Sequence, residues 1–130
     1  MFLIDSSVWI EYFRPGGSKK VKEKVKDILE FGAVVSCGIV TIEILRGVKN
    51  KKDFDELYNS LFFLPQIPID HEVTERASRW GFEMDRKGRI ASTTDLIIAS
   101  AAYKKAKLLH LDNDFRMISE FYDIDEEMLS

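Results

Sequence analysis

Short, largely apolar runs set between segments of helical spacing are the strongest constraint on how this chain can fold. Met1-Phe2-Leu3-Ile4, Ala33-Val34-Val35-Ser36 and Leu108-Leu109-His110-Leu111 are too short for buried helices. Apolarity that is continuous rather than alternating marks strands covered on both faces, as in parallel sheets. Asp5-Ser6-Ser7 suits the start of a helix over 8–13. Arg14-Pro15-Gly16-Gly17-Ser18 then breaks the chain, and Val21, Val25, Ile28 and Leu29 recur at the spacing of an amphipathic helix over 18–31, stopped by Gly32. Further helices are predicted over 39–48, ending near Gly47, over 51–61, from Asp70 toward Lys87-Gly88, over 92–105 and over 115–121. Leu64-Pro65-Gln66-Ile67-Pro68 is extended and proline-broken, at best an edge strand.

Strands alternating with helices imply an α/β fold whose central parallel sheet carries helices on both faces. With 130 residues and no repeat, linker or low-complexity segment, the expectation is a single domain over 1–130. The 45% apolar and 32% charged residues belong to a globular chain. No apolar run approaches the ~18 residues of a membrane span, and no basic leader precedes Asp5, so a cytoplasmic protein without membrane association is expected. Cys37 is alone, which leaves no internal disulfide and no cysteine-based metal cluster, and its apolar surroundings make it a small buried residue. A net charge of −3 and a pI near 5.4 speak against a strongly basic nucleic-acid-binding domain. A site built of carboxylates weakens that objection, because a bound divalent cation would cancel its charge locally.

Such a site is suggested by where the acids fall. Asp5 directly follows the first strand, and ligands of open parallel sheets bind at the carboxyl ends of the strands. Asp112-Asn113-Asp114 follows the last predicted strand at the same edge. Glu43 falls within the arc of its helix that carries Ile39, Val40, Ile42 and Ile44, so its carboxylate should point inward, where an unpaired charge is costly. Asp95 opens the helix leading into the last strand. Each acid also has a commonplace reading. Asp5 and Asp112 suit helix caps, Ser92-Thr93-Thr94-Asp95 has the spacing of a capping box, and Arg46 could pair with Glu43 three residues earlier. Convergence favours the site, since four or five carboxylates sharing one pocket repel unless a cation joins them. Ligands of oxygen alone select a hard ion, Mg²⁺ or Mn²⁺. His110 interrupts an apolar strand and reads either as a packed histidine or as one facing the site, and His71 reads as surface.

Leu3-Ile4-Asp5-Ser6-Ser7-Val8-Trp9-Ile10, Thr41-Ile42-Glu43-Ile44-Leu45-Arg46-Gly47, Thr94-Asp95-Leu96-Ile97-Ile98-Ala99 and Leu108-Leu109-His110-Leu111-Asp112-Asn113-Asp114-Phe115 resemble the four ordered motifs of PIN domains, most closely the VapC toxins of toxin–antitoxin pairs. The resemblance spans nearly the whole chain. It implies a Rossmann-like three-layer α/β/α sandwich and a Mg²⁺- or Mn²⁺-dependent endoribonuclease acting on cellular RNA. It also implies a homodimer and inhibition by a VapB-like antitoxin. By motif, Asp5, Glu43 and Asp95 match the first three acidic positions, and the fourth falls on Asp114 or on Asp112. His110 stands where such domains commonly carry Thr or Ser.

The implied chemistry is metal-assisted hydrolysis, with Asp5 and Asp95 as direct ligands and Glu43 and Asp114 acting through water or on the nucleophile. Arg46, Lys49, Arg86, Lys87 and Arg89 are candidates for phosphate contacts. An aspartyl phosphatase would want a second Asp two residues after the first, where this chain has Ser7. The remaining alternative is a non-catalytic RNA-binding or protein-interaction module on the same fold.

Overall fold

The structure, a computed structural model, describes residues 1–129. The elements in chain order are β1 (Phe2–Ile4), α1 (Ser6–Phe13), α2 (Lys19–Glu30), β2 (Val34–Cys37), α3 (Gly38–Arg46), α4 (Lys51–Phe63), β3 (Gln66–Ile67), α5 (His71–Arg86), α6 (Thr93–Ala102), β4 (Lys107–His110), α7 (Asn113–Ser119) and β5 (Glu126–Met128). All strand pairs are parallel, in the order β3-β2-β1-β4-β5. The expected α/β sandwich is therefore present. Leu3, Ile4, Leu108 and Leu109 are fully buried, as strands covered by helices on both sides must be.

The order reverses beside β1, since the chain builds outward to β2 and β3 and then crosses to β4 and β5 on the other flank. The crevice between the carboxyl ends of β1 and β4 is the switch point where open α/β sheets bind ligands. Asp5 and the Asp112-Asn113-Asp114 turn leave the sheet there. The Asp5 N–H still donates to the Leu109 carbonyl at 2.9 Å, so the ladder fixes its backbone to the last residue.

Several boundaries differ from the sequence expectation. β5 was not anticipated, because Glu126–Met128 is short, carries two acids and has only half-buried residues. It exists by pairing with β4, in the register Leu108↔Glu126 to His110↔Met128. The 64–68 segment does supply an edge strand, β3. α6 stops at Ala102 rather than near residue 105, because Lys104 takes a left-handed φ of 59°. Gly32 ends α2 as expected, at φ 67°, where a side chain would be strained. Cys37 is fully buried. Among the described residues no helix is long and apolar enough to cross a membrane.

Candidate active site

Asp5 caps α1: its Oδ2 accepts from the Ser7 N–H at 3.1 Å and from the Ser7 hydroxyl at 2.5 Å. Its other oxygen, Oδ1, is buried without a hydrogen-bond partner. Capping therefore occupies one oxygen and leaves the other free. The Ser7 hydroxyl oxygen also accepts from the Leu111 N–H at 3.1 Å, tying the loop after β1 to the loop after β4.

Glu43 lies half-buried on α3 and accepts from the Ser6 hydroxyl at 3.2 Å, which draws it to the start of α1. The apolar arc predicted around it needs correction. Val40 and Ile44 are buried, but Ile42 is 60% exposed, so the buried stripe is Val40, Thr41, Ile44 and Leu45, and Glu43 lies at its margin. Arg46 is exposed and forms no ion pair with Glu43.

The predicted capping box at α6 is only half formed. The Ser92 hydroxyl accepts from the Asp95 N–H at 3.2 Å, but the Ser92 N–H donates to Asp114 Oδ2 at 3.0 Å. Because Asp114 takes that amide, the Asp95 carboxylate is released from capping. Asp95 is 7% exposed, and one carboxylate oxygen from each of Asp95, Asp112 and Asp114 lies within 4.8 Å of the others. Asp112 caps α7, its Oδ1 accepting from the Asp114 N–H at 2.9 Å.

Electrostatics joins Asp5 and Glu43 to this trio. Burial raises the Asp5 carboxyl above its ordinary range against the opposing Ser7 hydrogen bonds, and the Asp112 charge adds to the rise. Glu43 is raised by burial, then by the charges of Asp5 and Asp112. Asp95 is pushed up to about 8, first by burial, then by Asp112, Asp114 and Asp5. Asp95, Asp112 and Asp114 thus form a tight cluster, and Asp5 and Glu43 lie near enough to feel the charge of Asp112.

A profile of the PIN domain family matches residues 2–120. Ribonuclease VapC11 of Mycobacterium tuberculosis is 30% identical over 128 residues, covering 95% of this chain and 96% of its own. The chain belongs to the PIN-domain family. Among solved folds, VapBC2 from Rickettsia felis bound to a DNA fragment from their promoter superimposes with a TM-score of 0.79 at 16% identity, covering 99% of this chain and 98% of that one. VapBC-5 of M. tuberculosis, a member of the VapBC family of toxin–antitoxin systems, gives a TM-score of 0.62 at 15% identity, covering 98% and 95%.

PIN-domain nucleases generally use divalent metals, and the donors of this PIN domain fit one. They are all carboxylate oxygens, they repel one another in its absence, and Asp5 Oδ1 is buried with nothing to accept from. Two hydroxyls of the PIN domain, those of Ser6 and Ser7, escaped the sequence reading. Only the Asp5-Ser6-Ser7 cap signal pointed near them, and it gives no hint of bonds reaching Glu43 or Leu111. His110 is fully buried, and burial lowers its pKa below the ordinary 6.5. His71 is exposed, as expected.

None of the candidate phosphate-binding cations forms an ion pair with the five acids. Arg46 and Lys49 are exposed at and beyond the end of α3, and Arg86, Lys87 and Arg89 are exposed where α5 gives way to the loop before Ser92. Arg86 rests over the Phe82 ring and Lys87 over Phe121, while Arg89 pairs with Glu120 at 2.8 Å. Ser92, hydrogen-bonded to Asp114, is three residues from Arg89, a span of at most about 10 Å.

Proposed function

We propose that this PIN domain is an endoribonuclease of the VapC type, the toxin of a toxin–antitoxin pair, which hydrolyses RNA phosphodiester bonds with Mg²⁺ or, in its place, Mn²⁺. The observation that carries the reading is the cluster of Asp95, Asp112 and Asp114 at the sheet's switch point, with Asp5 and Glu43 within reach of its charge, in a chain that matches a VapC ribonuclease along nearly its whole length. A hard divalent cation bound there supplies polarisation of a phosphoryl oxygen and acidification of the attacking water.

Asp5 and Asp95, the two most buried acids, would hold the ion directly. Asp112, which faces both, completes the set on the β4 side. Glu43, half-buried and oriented by the Ser6 hydroxyl, is placed to act through water or to accept the proton of the nucleophile. Asp114 spends one oxygen on the Ser92 amide and keeps the other for the ion or its water. The exposed cations at and beyond the end of α3, and from the end of α5 toward Ser92, are offered as phosphate contacts.

The toxin–antitoxin assemblies among the similar folds support a VapB-like antitoxin as partner, and the family likeness supports a homodimer working in the cytoplasm. The decisive experiment incubates purified protein with total cellular RNA in Mg²⁺, in EDTA and as the Asp5→Asn variant. Cleavage should require Mg²⁺ and disappear in the folded variant. Full cleavage by Asp5→Asn, or in EDTA, would refute the assignment.

A further inference from the structure

We infer that His110 is a positioning residue for Asp112, holding the backbone of that acid through Nδ1 while Glu126 on β5 fixes which ring nitrogen carries the proton. The inference rests on reading Asp112 as a metal ligand.

The turn after β4 is held almost wholly by side chains. The Leu111 N–H goes to the Ser7 hydroxyl, the Asp112 N–H to His110 Nδ1 at 3.2 Å, and the Asp114 N–H to Asp112 Oδ1. Three of its amides thus point at side-chain acceptors, and the His110 bond sets where the Asp112 carboxylate leaves the backbone. An acceptor two residues before the amide it receives is the geometry by which Asn, Asp, Ser and Thr build tight turns, so His110 substitutes an imidazole nitrogen for an oxygen.

Accepting at Nδ1 requires a neutral ring whose proton sits on Nε2. Nε2 is buried and lies 3.4 Å from Glu126 Oε1, too loosely placed to count as a hydrogen bond but close enough to favour the proton on that side. Glu126 is held in turn by Arg116 of α7, whose Nε is 3.0 Å from the same oxygen. The C-terminal strand therefore approaches the acidic cluster through two contacts at ion-pair distance that fall short of hydrogen-bond geometry, Arg116 to Glu126 and Glu126 to His110, and one hydrogen bond, from the Asp112 N–H to His110. His110 also packs against Phe115, ring centroids 5.0 Å apart, so packing and positioning must be separated by experiment.

Two measurements do so. Long-range proton–nitrogen NMR correlations on the metal-free wild-type protein should show His110 with Nδ1 bare and Nε2 protonated; the opposite tautomer overturns the inference without any variant. Mn²⁺ affinity measured by calorimetry should fall about tenfold or more in His110→Leu, which keeps apolar bulk and loses the acceptor. In His110→Asn, whose carbonyl can take the same amide, affinity should stay within about threefold of wild type. Unchanged affinity in His110→Leu, or equal losses in the two variants, overturns the inference. If His110→Leu does not fold, the tautomer decides. Wild-type protein that binds no Mn²⁺ overturns the metal-site reading and this inference with it, whereas unchanged binding by His110→Leu overturns the inference alone.

Discussion

Replacing Asp95 by Asn should make the metal-free protein more stable while destroying its activity. The Asp95 carboxyl rises from the ordinary 3.8 to about 8 in the fold. At about 1.4 kcal/mol per tenfold change in acidity, that rise sets a ceiling of about 6 kcal/mol on the destabilisation it brings once both states are ionised. Asp112 and Asp114 share the repulsion and the pocket relaxes, so about a third of the ceiling, on the order of 2 kcal/mol, is the realistic gain from a neutral isostere. For a chain of this size that is about 6–10 °C in melting temperature. The sign follows from proton binding. Between about pH 4 and pH 8 the native state keeps a proton that the unfolded chain has lost, so stability falls as pH rises through this window. Thermal melts in EDTA should therefore show Asp95→Asn above wild type at pH 8.5, with the gap shrinking by more than half at pH 5. Saturating Mg²⁺ should raise the wild type by about 3 kcal/mol at a hundredfold excess over its dissociation constant and leave the variant nearly unmoved. An Asp95→Asn protein that melts at or below wild type in EDTA at pH 8.5, or a gap that ignores pH, would refute the crowding of charge on which the site rests.

Ser7→Ala removes the shortest bond to Asp5 and leaves the Leu111 amide without its acceptor, so it should cost about 1–3 kcal/mol in denaturant titrations and lower cleavage as well. Arg86→Ala and Lys87→Ala together should raise KM for RNA, hold kcat, and flatten the salt dependence of binding by about two counterions, read by anisotropy of a labelled RNA across a salt series.

The parts of the fold visible in the sequence are those whose local pattern and tertiary role coincide. β1 is an unbroken apolar run, and β2 and β4 are built on the apolar pairs Val34-Val35 and Leu108-Leu109, because helices cover them on both sides, and α2 carries a clean amphipathic repeat because only one face is buried. β5 lacked such a signal, because an edge strand of half-buried residues is made by its neighbour's ladder rather than by its own pattern. The acids Asp5, Asp95 and Asp112 stand out in the sequence through strand ends and cap signals, whereas the apolar arc that singles out Glu43 is drawn too wide, since Ile42 is exposed. What those signals lack is partner identity. Ser92 reads as the start of a reciprocal box with Asp95, yet its amide goes to Asp114, twenty-two residues away. Ser7 reads as a cap residue, yet it bonds an amide 104 residues on. Such bonds depend on which loops the sheet brings together, which no window of local sequence contains.

The same geometry bears on whether the metal is needed for folding. Asp5 and Asp112 are helix caps and Asp95 sits in the first turn of α6, so three acids lie at helix N-termini, where the peptide dipoles supply partial positive charge. Buried anchors stand beside them: Ile4 directly before Asp5, Leu96 directly after Asp95, and Phe115 in the first turn of the helix that Asp112 caps. Burying Phe115 alone stabilises by about 2–3 kcal/mol, comparable to the repulsion of one crowded carboxylate. The acids are thus held in place by the core and the helix ends, and the cation would enter a site already built. Chelation should accordingly lower the melting temperature by several degrees while leaving far-ultraviolet circular dichroism and a cooperative transition intact, unlike small zinc domains that unfold without metal. Loss of the cooperative transition in EDTA at pH 7 would show instead that the ion is a structural element, and the caps insufficient to hold the pocket open against its own charge.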